Sequence, residues 1–310
     1  MHTSNRTGPA AIAVAEHPQA PGPQGDPAGR SVLRHELEAV LEILAAGRVV
    51  PHFQPVVDLF AAETAGFEVL SRFPETTVGP EALFAVARAG GLAWELEQLC
   101  RRAALRRLAD ATEVTHHRMV SFNVSLGVFL DPRFVREWSA STVRRAGLDP
   151  QQVVLELTPV GAAPDLAVLE ETVRHFTAEG FRLALDDYGA GRGNLALLFA
   201  IEPQYLKLDR GLVAGIDESP PQQRLLRRVI NCASQLGCRL VAEGVETHAD
   251  LSVLARQGVR YAQGAYFCLP VPDPVLPDTE TPSFRALDTL ACGAGRVAAA
   301  EEHAIVDLVQ

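Results

Sequence analysis

The stretch Arg182-Leu183-Ala184-Leu185-Asp186-Asp187 is a short apolar run that stops at two adjacent carboxylates. Gly180 precedes it and Gly189 follows it, so it is too short for a helix and has the length of a buried strand. Seven further runs share its character: Val49 to Leu59, Gly66 to Phe73, Met119 to Ser125, Val153 to Leu157, Tyr205 to Leu208, Arg239 to Ala242 and Tyr261 to Cys268. Polar residues sit in or just after these runs, where an apolar strand has no local use for them. They are Glu68, Asn123 within Phe122-Asn123-Val124-Ser125, Glu156 before Leu157-Thr158, Lys207 and Asp209, Glu243 and Glu246 within Ala242-Glu243-Gly244-Val245-Glu246, and Gln263 before Gly264.

Working outward, the runs are separated by stretches of helical length. Leu166, Leu169, Val173 and Phe176 recur at steps of three and four before Gly180, and Leu225, Leu226, Val229, Ile230, Ala233 and Leu236 do so before Gly237. Strands alternating with helices predict an α/β fold, a closed TIM-like (β/α)8 barrel, with a doubly wound open sheet as its competitor. Leu33, Leu37, Val40, Leu41 and Leu44 predict a helix leading into the barrel, stopped by Gly47. Residues 1–30 are rich in Pro and Gly without a sustained period and read as a flexible, disordered tail. The domain is expected over 31–275. Residues 276–310 read as a linker followed by a tail or short helix.

The chain has 310 residues, 47% of them hydrophobic and 21% charged, enough apolar surface for one large core. Its formal net charge of −10 argues against a non-specific grip on duplex nucleic acid or an anionic membrane. The five cysteines include no CxxC pair and read as reduced thiols. No apolar run is long enough to span a membrane, so a cytoplasmic location is expected.

In a barrel of this class the C-terminal ends of the strands build the active site. A single Asp or Glu there caps a helix or faces water more often than it works. Carboxylates and an Asn converging on one rim repel one another unless cations lie among them. An oxygen-only donor set suits Mg²⁺ or Mn²⁺, and adjacent Asp186 and Asp187 are placed to bridge two ions in a phosphoryl-transfer site. Ca²⁺, with longer and looser coordination, is expected to permit binding and inhibit reaction.

The motifs Phe53-Gln54-Pro55, Glu68-Val69-Leu70 followed by Arg72, Asn123-Val124-Ser125, Glu156-Leu157-Thr158, Asp186-Asp187-Tyr188-Gly189-Ala190-Gly191, Lys207-Leu208-Asp209, Ala242-Glu243-Gly244-Val245-Glu246 and Gln263-Gly264 together resemble an EAL domain, the family of cyclic-di-GMP phosphodiesterases. The resemblance implies a barrel whose first strand is antiparallel, a homodimer, and cleavage of cyclic di-GMP to linear 5′-pGpG. It implies one metal held by Glu68, Asn123, Glu156 and Asp186, and a second by Asp186, Asp187 and Glu243. Lys207 would hold the attacking water, supported by Gln263, Asp209 and Glu246. Gln54, Leu70 and Arg72 would contact the ligand, Arg72 at a phosphate.

The sequence departs from the family in two places. Pro159 stands where active members usually carry a second Glu that steadies the loop after the fifth strand, and Pro offers neither a side-chain acceptor nor an N–H. That loop reads Gly189-Ala190-Gly191-Arg192-Gly193-Asn194, where the family usually has an aromatic and two serines after the second Gly. An enzyme whose turnover is weak or depends on a regulatory protein partner is one expectation. A catalytically weak receptor of cyclic di-GMP, or a protein-interaction module, is the alternative.

Overall fold

The computed structural model describes residues 27–161, 163–189 and 195–277, together with Thr281, Phe284 and Leu287. Eight strands close into one barrel in sequence order: β1 (Val50–Asp58), β2 (Glu63–Arg72), β3 (Met119–Ser125), β4 (Val153–Thr158), β5 (Arg182–Tyr188), β6 (Tyr205–Leu208), β7 (Arg239–Ala242) and β8 (Tyr261–Ala262). β1 runs antiparallel to both β2 and β8, and every other neighbouring pair is parallel. A closed sheet leaves no edge, which excludes the doubly wound alternative.

The period of two explains where side chains go. Val120, Phe122 and Val124 of β3, Val153, Leu155 and Leu157 of β4, and Leu206 and Leu208 of β6 join the large core between barrel and helices. Their alternates point into the lumen. At its lower end Val56, Val154, Ala184, Tyr205, Val241 and Tyr261 form an apolar plug. Two residues further along β4, β6 and β7 from plug members Val154, Tyr205 and Val241, the same alternation presents Glu156, Lys207 and Glu243. One parity therefore supplies both the floor and the polar layer above it.

Helix α1 (Pro27–Ala46) precedes the barrel, and α2 (Pro80–Ala89) and α3 (Ala93–Ala109) follow β2. Val40 and Ile43 of α1, Leu83, Val86 and Ala87 of α2, and Leu96 and Cys100 of α3 form a second apolar cluster. α4 (Leu166–Ala178), α5 (Leu195–Ile201), α6 (Pro220–Gln235) and α7 (His248–Arg256) complete the main helices. Side chains close the first turns of α4, α6 and α7: Asp165 accepts from Ala167 and Val168, Ser219 from Gln222, and Thr247 from Asp250.

Two boundaries differ from the sequence reading. The first helix begins at Pro27, inside the stretch read as tail; residues 1–26 lie outside the described residues. The last strand ends at Ala262 rather than Cys268. There the chain turns against β7's loop: Val245 N donates to Gln263 O (3.0 Å) and Tyr266 N to Val245 O (3.0 Å). A Cβ on Gly264 would lie 2.1 Å from Val245 O, so only glycine permits this approach. Beyond it, Phe53 and Val271 exchange backbone hydrogen bonds as an isolated antiparallel bridge that fastens the outgoing chain to β1. Most of 276–310, and residues 190–194 of the altered loop, lie outside the described residues.

Candidate active site

Lys207 is buried in the lumen, and its Nζ lies 2.6 Å from Glu243 Oε1, 2.7 Å from Glu156 Oε2, 3.0 Å from Glu68 Oε2 and 3.9 Å from Asp186 Oδ1. β2, β4, β5 and β6 carry four of these groups, and Glu243 follows β7 directly. Asn123 Nδ2 donates to Glu68 Oε1 (2.8 Å), and Gln263 Nε2 donates to Glu68 Oε2 (2.5 Å) and Glu243 Oε1 (3.2 Å). Thr158 Oγ1 donates to Asp186 Oδ2 at 3.4 Å. Asp187 leaves the strand pattern with φ +56°, a left-handed conformation that short polar residues tolerate best, and its N–H donates to Asp186 Oδ1 (2.8 Å).

One ammonium facing four carboxylates leaves a charge deficit, and it shows in the titration behaviour. Burial opposes ionisation of Glu68, but Lys207, Asn123 and Gln263 outweigh it and hold its carboxyl below the usual range. Burial, reinforced by Glu68 and Asp186, pushes Glu156 well above its ordinary value despite Lys207. Burial and the same kind of crowding, from Asp186 and Glu68, raise Glu243 to about 8. Lys207 is desolvated too, yet its carboxylate neighbours raise its pKa well above that of a free lysine.

Glu68 and Asp186 of this cluster reach the wall of a cavity of about 690 Å³, within the size range of small-molecule sites, whereas Lys207, Glu156 and Glu243 are not among its lining residues. Glu68, Leu70, Arg72, Asn123, Asp186, Asp187 and Asp209 all reach its wall. Asp209 has a structural task as well: its Oδ1 accepts from Gly211 N (2.8 Å) and caps the one-turn helix Arg210–Val213. Among the described residues, the Arg72 side chain donates to the neighbouring Ser71 carbonyl alone (3.1 Å). Two sequence candidates make their contacts outside the cluster. Glu246 pairs with Arg210 (2.8 Å), both exposed, and Gln54, opposite Glu68 in the β1–β2 register, donates to Cys268 O (3.1 Å).

Sequence reasoning passed over α2 and α3, which form the outer wall of the cavity through Glu81, Phe84 and Arg88, and through Glu97, Cys100 and Arg101. Glu97 and Arg101 are a buried pair (3.0 Å), and Glu97 Oε2 also accepts from Ser125 N (3.3 Å) at the end of the strand bearing Asn123. The missed signal was the step of three and four joining positions 81, 84, 85 and 88 after Pro80.

The donor set fits divalent cations by its chemistry. Glu68, Glu156, Asp186, Asp187, Glu243 and Asn123 offer only hard oxygen donors, crowded beyond what one lysine neutralises. Among the described residues, no three acidic, histidine or cysteine side chains stand ready-grouped as a metal cage, because the carboxylates are drawn onto Lys207 instead. No helix among those residues is long and apolar enough to cross a membrane.

Comparisons with known proteins agree with this architecture. The probable cyclic di-GMP phosphodiesterase PdeG of Escherichia coli is 32% identical over 235 residues, covering 73% of this chain and 45% of that protein. The chain spans 36–45% of the length of several curated relatives. Klebsiella pneumoniae BlrP1, solved as a manganese and cyclic-di-GMP complex, superposes with a TM-score of 0.64 at 29% identity over 72% of this chain and 56% of that one. A standalone EAL protein of Vibrio cholerae, solved with cyclic di-GMP bound, gives a TM-score of 0.63 at 25% identity over 77% of this chain and 98% of that one. The EAL domain family model matches residues 37–270, from α1 through the turn after β8, and so takes in the whole barrel and its carboxylate cluster. This chain belongs to the EAL domain family.

Proposed function

We propose that this chain hydrolyses one phosphodiester of cyclic di-GMP to give linear 5′-pGpG at a two-metal site. The observation that carries the reading is the single buried Lys207 ammonium among four carboxylates, two of which, Glu68 and Asp186, reach the wall of a cavity large enough for a dinucleotide. The names of PdeG and BlrP1's manganese complex with cyclic di-GMP support the same chemistry. Glu68, Asn123, Glu156 and Asp186 would hold one Mg²⁺ or Mn²⁺, and Asp186, Asp187 and Glu243 would hold the other. Bound there, the cations supply Lewis acidity and a nucleophile available near neutral pH.

The chain's own groups do the rest. Lys207 Nζ orients the attacking water and stabilises charge gathering on the phosphoryl oxygens. The Gln263 amide, bonded to both Glu68 and Glu243, holds these two carboxylates against the lysine. Arg72, Leu70 and Gln54 receive the nucleotide, with Arg72 on a phosphate. Asp209 and Glu246 steady the turns after β6 and β7, one by capping and the other by pairing with Arg210. The active form is a homodimer: α4 and α5 leave Leu166, Val168, Leu195 and Phe199 exposed, an apolar surface suited to self-association.

The binding-only alternative has one observation in its favour, Pro159, which leaves Thr158 at 3.4 Å as the hydrogen bond from the end of β4 to Asp186. Chromatography of cyclic di-GMP incubated with the protein separates the two readings. The enzyme yields 5′-pGpG with Mg²⁺ or Mn²⁺, none with excess EDTA, and bound but uncut ligand with Ca²⁺. Intact ligand under every metal condition would establish the receptor instead.

A further inference from the structure

Helix α6 is held firmly on its inner side and left open on its outer one. Leu226, Val229 and Ala233 are buried in the core. Its first turn is fastened to the chain after β6, where Gln222 Nε2 donates to Gly211 O (3.0 Å) and Ala214 O (3.2 Å), and Gln223 Nε2 to Ile216 O (2.8 Å). On the opposite side Arg224, Arg228 and Asn231 stand exposed at i, i+4 and i+7, with Arg227 on one flank and Leu225, 45% exposed, on the other. Among the described residues none of the three arginines has a hydrogen-bond or ion-pair partner.

Local needs do not explain these charges. A helix favours cations in its last turn, and α6 has none there; all three arginines lie within its first nine residues. No Asp or Glu lies between Pro220 and Gln235, in a chain whose formal net charge is −10. The apolar side of α6 is already covered by the barrel, so the helix has nothing to insert into a lipid surface, and the net charge opposes a nucleic-acid polyanion.

We propose that the outer face of α6 docks an acidic amphipathic helix of a partner protein, with carboxylates on Arg224, Arg227 and Arg228 and an apolar side chain on Leu225. None of these residues lines the cavity, and the proposal does not rest on the phosphodiesterase reading. Guanidinium groups one helical turn apart, about 6 Å, match carboxylates at the same i, i+4 spacing on a facing helix, and each planar fork accepts a carboxylate in two parallel hydrogen bonds. The anchored backbone keeps the arginine stems in place, so association orders little beyond side chains. Ion pairs at such an exposed face give orientation and rate more than affinity, which makes the contact salt-sensitive.

The test uses the full chain and a fluorescein-labelled synthetic helix carrying Glu at successive i, i+4 positions beside a row of Leu, read by anisotropy. Saturable binding is expected, weakening about tenfold from low salt to about 0.5 M NaCl. Arg224→Glu combined with Arg228→Glu should weaken it about tenfold or more at an unchanged melting temperature, and a helix with Lys in place of Glu should then prefer the double variant over the wild type. Equal binding by wild type and double variant, or none by either, overturns the proposal. So does a helix with Gln in place of Glu that binds as well as the acidic one, because apolar contact alone then accounts for the binding. Two further results would assign the face to another occupant and overturn it as well. A change of oligomeric state in the double variant, seen by sedimentation, gives the face to a second copy of this chain. A tighter grip on the acidic helix after Glu301, Glu302 and Asp307 are all changed to the corresponding amides gives it to the chain's own C-terminal residues.

Discussion

Lys207 Nζ lies 2.6 Å from Glu243 Oε1, and this contact joins β6 to the loop after β7 at the centre of the site. The pair is not balanced, because Glu68, Glu156 and Asp186 claim the same ammonium. Removing the ammonium leaves four desolvated carboxylates unmatched, which costs more than any one pair contributes. The lysine therefore holds the metal-free fold together as well as serving the reaction.

Metal affinity is expected to rise with pH. Glu243 is raised from 4.5 to about 8, so between those values the folded protein binds more protons than the unfolded chain. Its contribution to stability is complete below pH 4.5 and is lost as pH climbs through about 8. A cation that needs the ionised carboxylate displaces that proton, so Mn²⁺ affinity should increase about tenfold per pH unit below 8. Thermal unfolding checks it: in EDTA the melting temperature falls from pH 6 to 9, and added Mn²⁺ raises it more at pH 8.5 than at pH 6.

Lys207→Met should uncouple stability from chemistry. In EDTA the variant loses about 3 kcal/mol of stability, the scale for breaking a buried ion pair, and saturating Mn²⁺ recovers most of it. Turnover stays low in that recovered state, with KM little changed, because the lysine acts on the transition state. Denaturant titration beside steady-state kinetics measures both; a variant impaired only in KM would contradict the assigned role.

Glu68→Ala and Asp186→Asn remove donors from the two sides of the cluster. Each should cut hydrolysis of cyclic di-GMP by roughly a thousandfold or more, equivalent to at least ~4 kcal/mol of transition-state stabilisation. Circular dichroism should show both variants folded, since each substitution relieves crowding around one ammonium. Product chromatography showing near-normal 5′-pGpG formation from either would exclude them as metal ligands.

The tether on Asp186 can be weakened or reinforced. Thr158→Val deletes the hydroxyl at 3.4 Å, a long hydrogen bond worth about 1 kcal/mol, and should weaken metal-dependent activity roughly fivefold at limiting Mn²⁺. Pro159→Glu cannot bond the Asp186 carboxylate itself, but it supplies an acceptor for donors of the loop after β5 and should raise activity in the same range of metal concentration by roughly five- to thirtyfold. Activity titrated with Mn²⁺ reads both, and coincident curves for wild type and Pro159→Glu would mean that other contacts hold the loop.

Sequence by itself determined the barrel and most of its lumen. Short apolar runs with period two, each carrying a polar residue at the lumen parity, are legible because strand alternation is a local property of the backbone. That is why Glu68, Asn123, Glu156, Asp186, Lys207, Glu243 and Gln263 stand out in the sequence alone. Tertiary structure decided what they do to one another. Lys207's hold on four carboxylates and the raised Glu243 depend on distances between strands far apart in the chain. The early stop of β8 depends on Val245 crossing Gly264, and the diversion of Glu246 to Arg210 on how two loops meet. The wall formed by α2 was written in its spacing, but a helical stripe faces a cavity or a core with the same pattern. Only the packing of Leu83 and Val86 against α1 and α3 turned Glu81, Phe84 and Arg88 towards the ligand space.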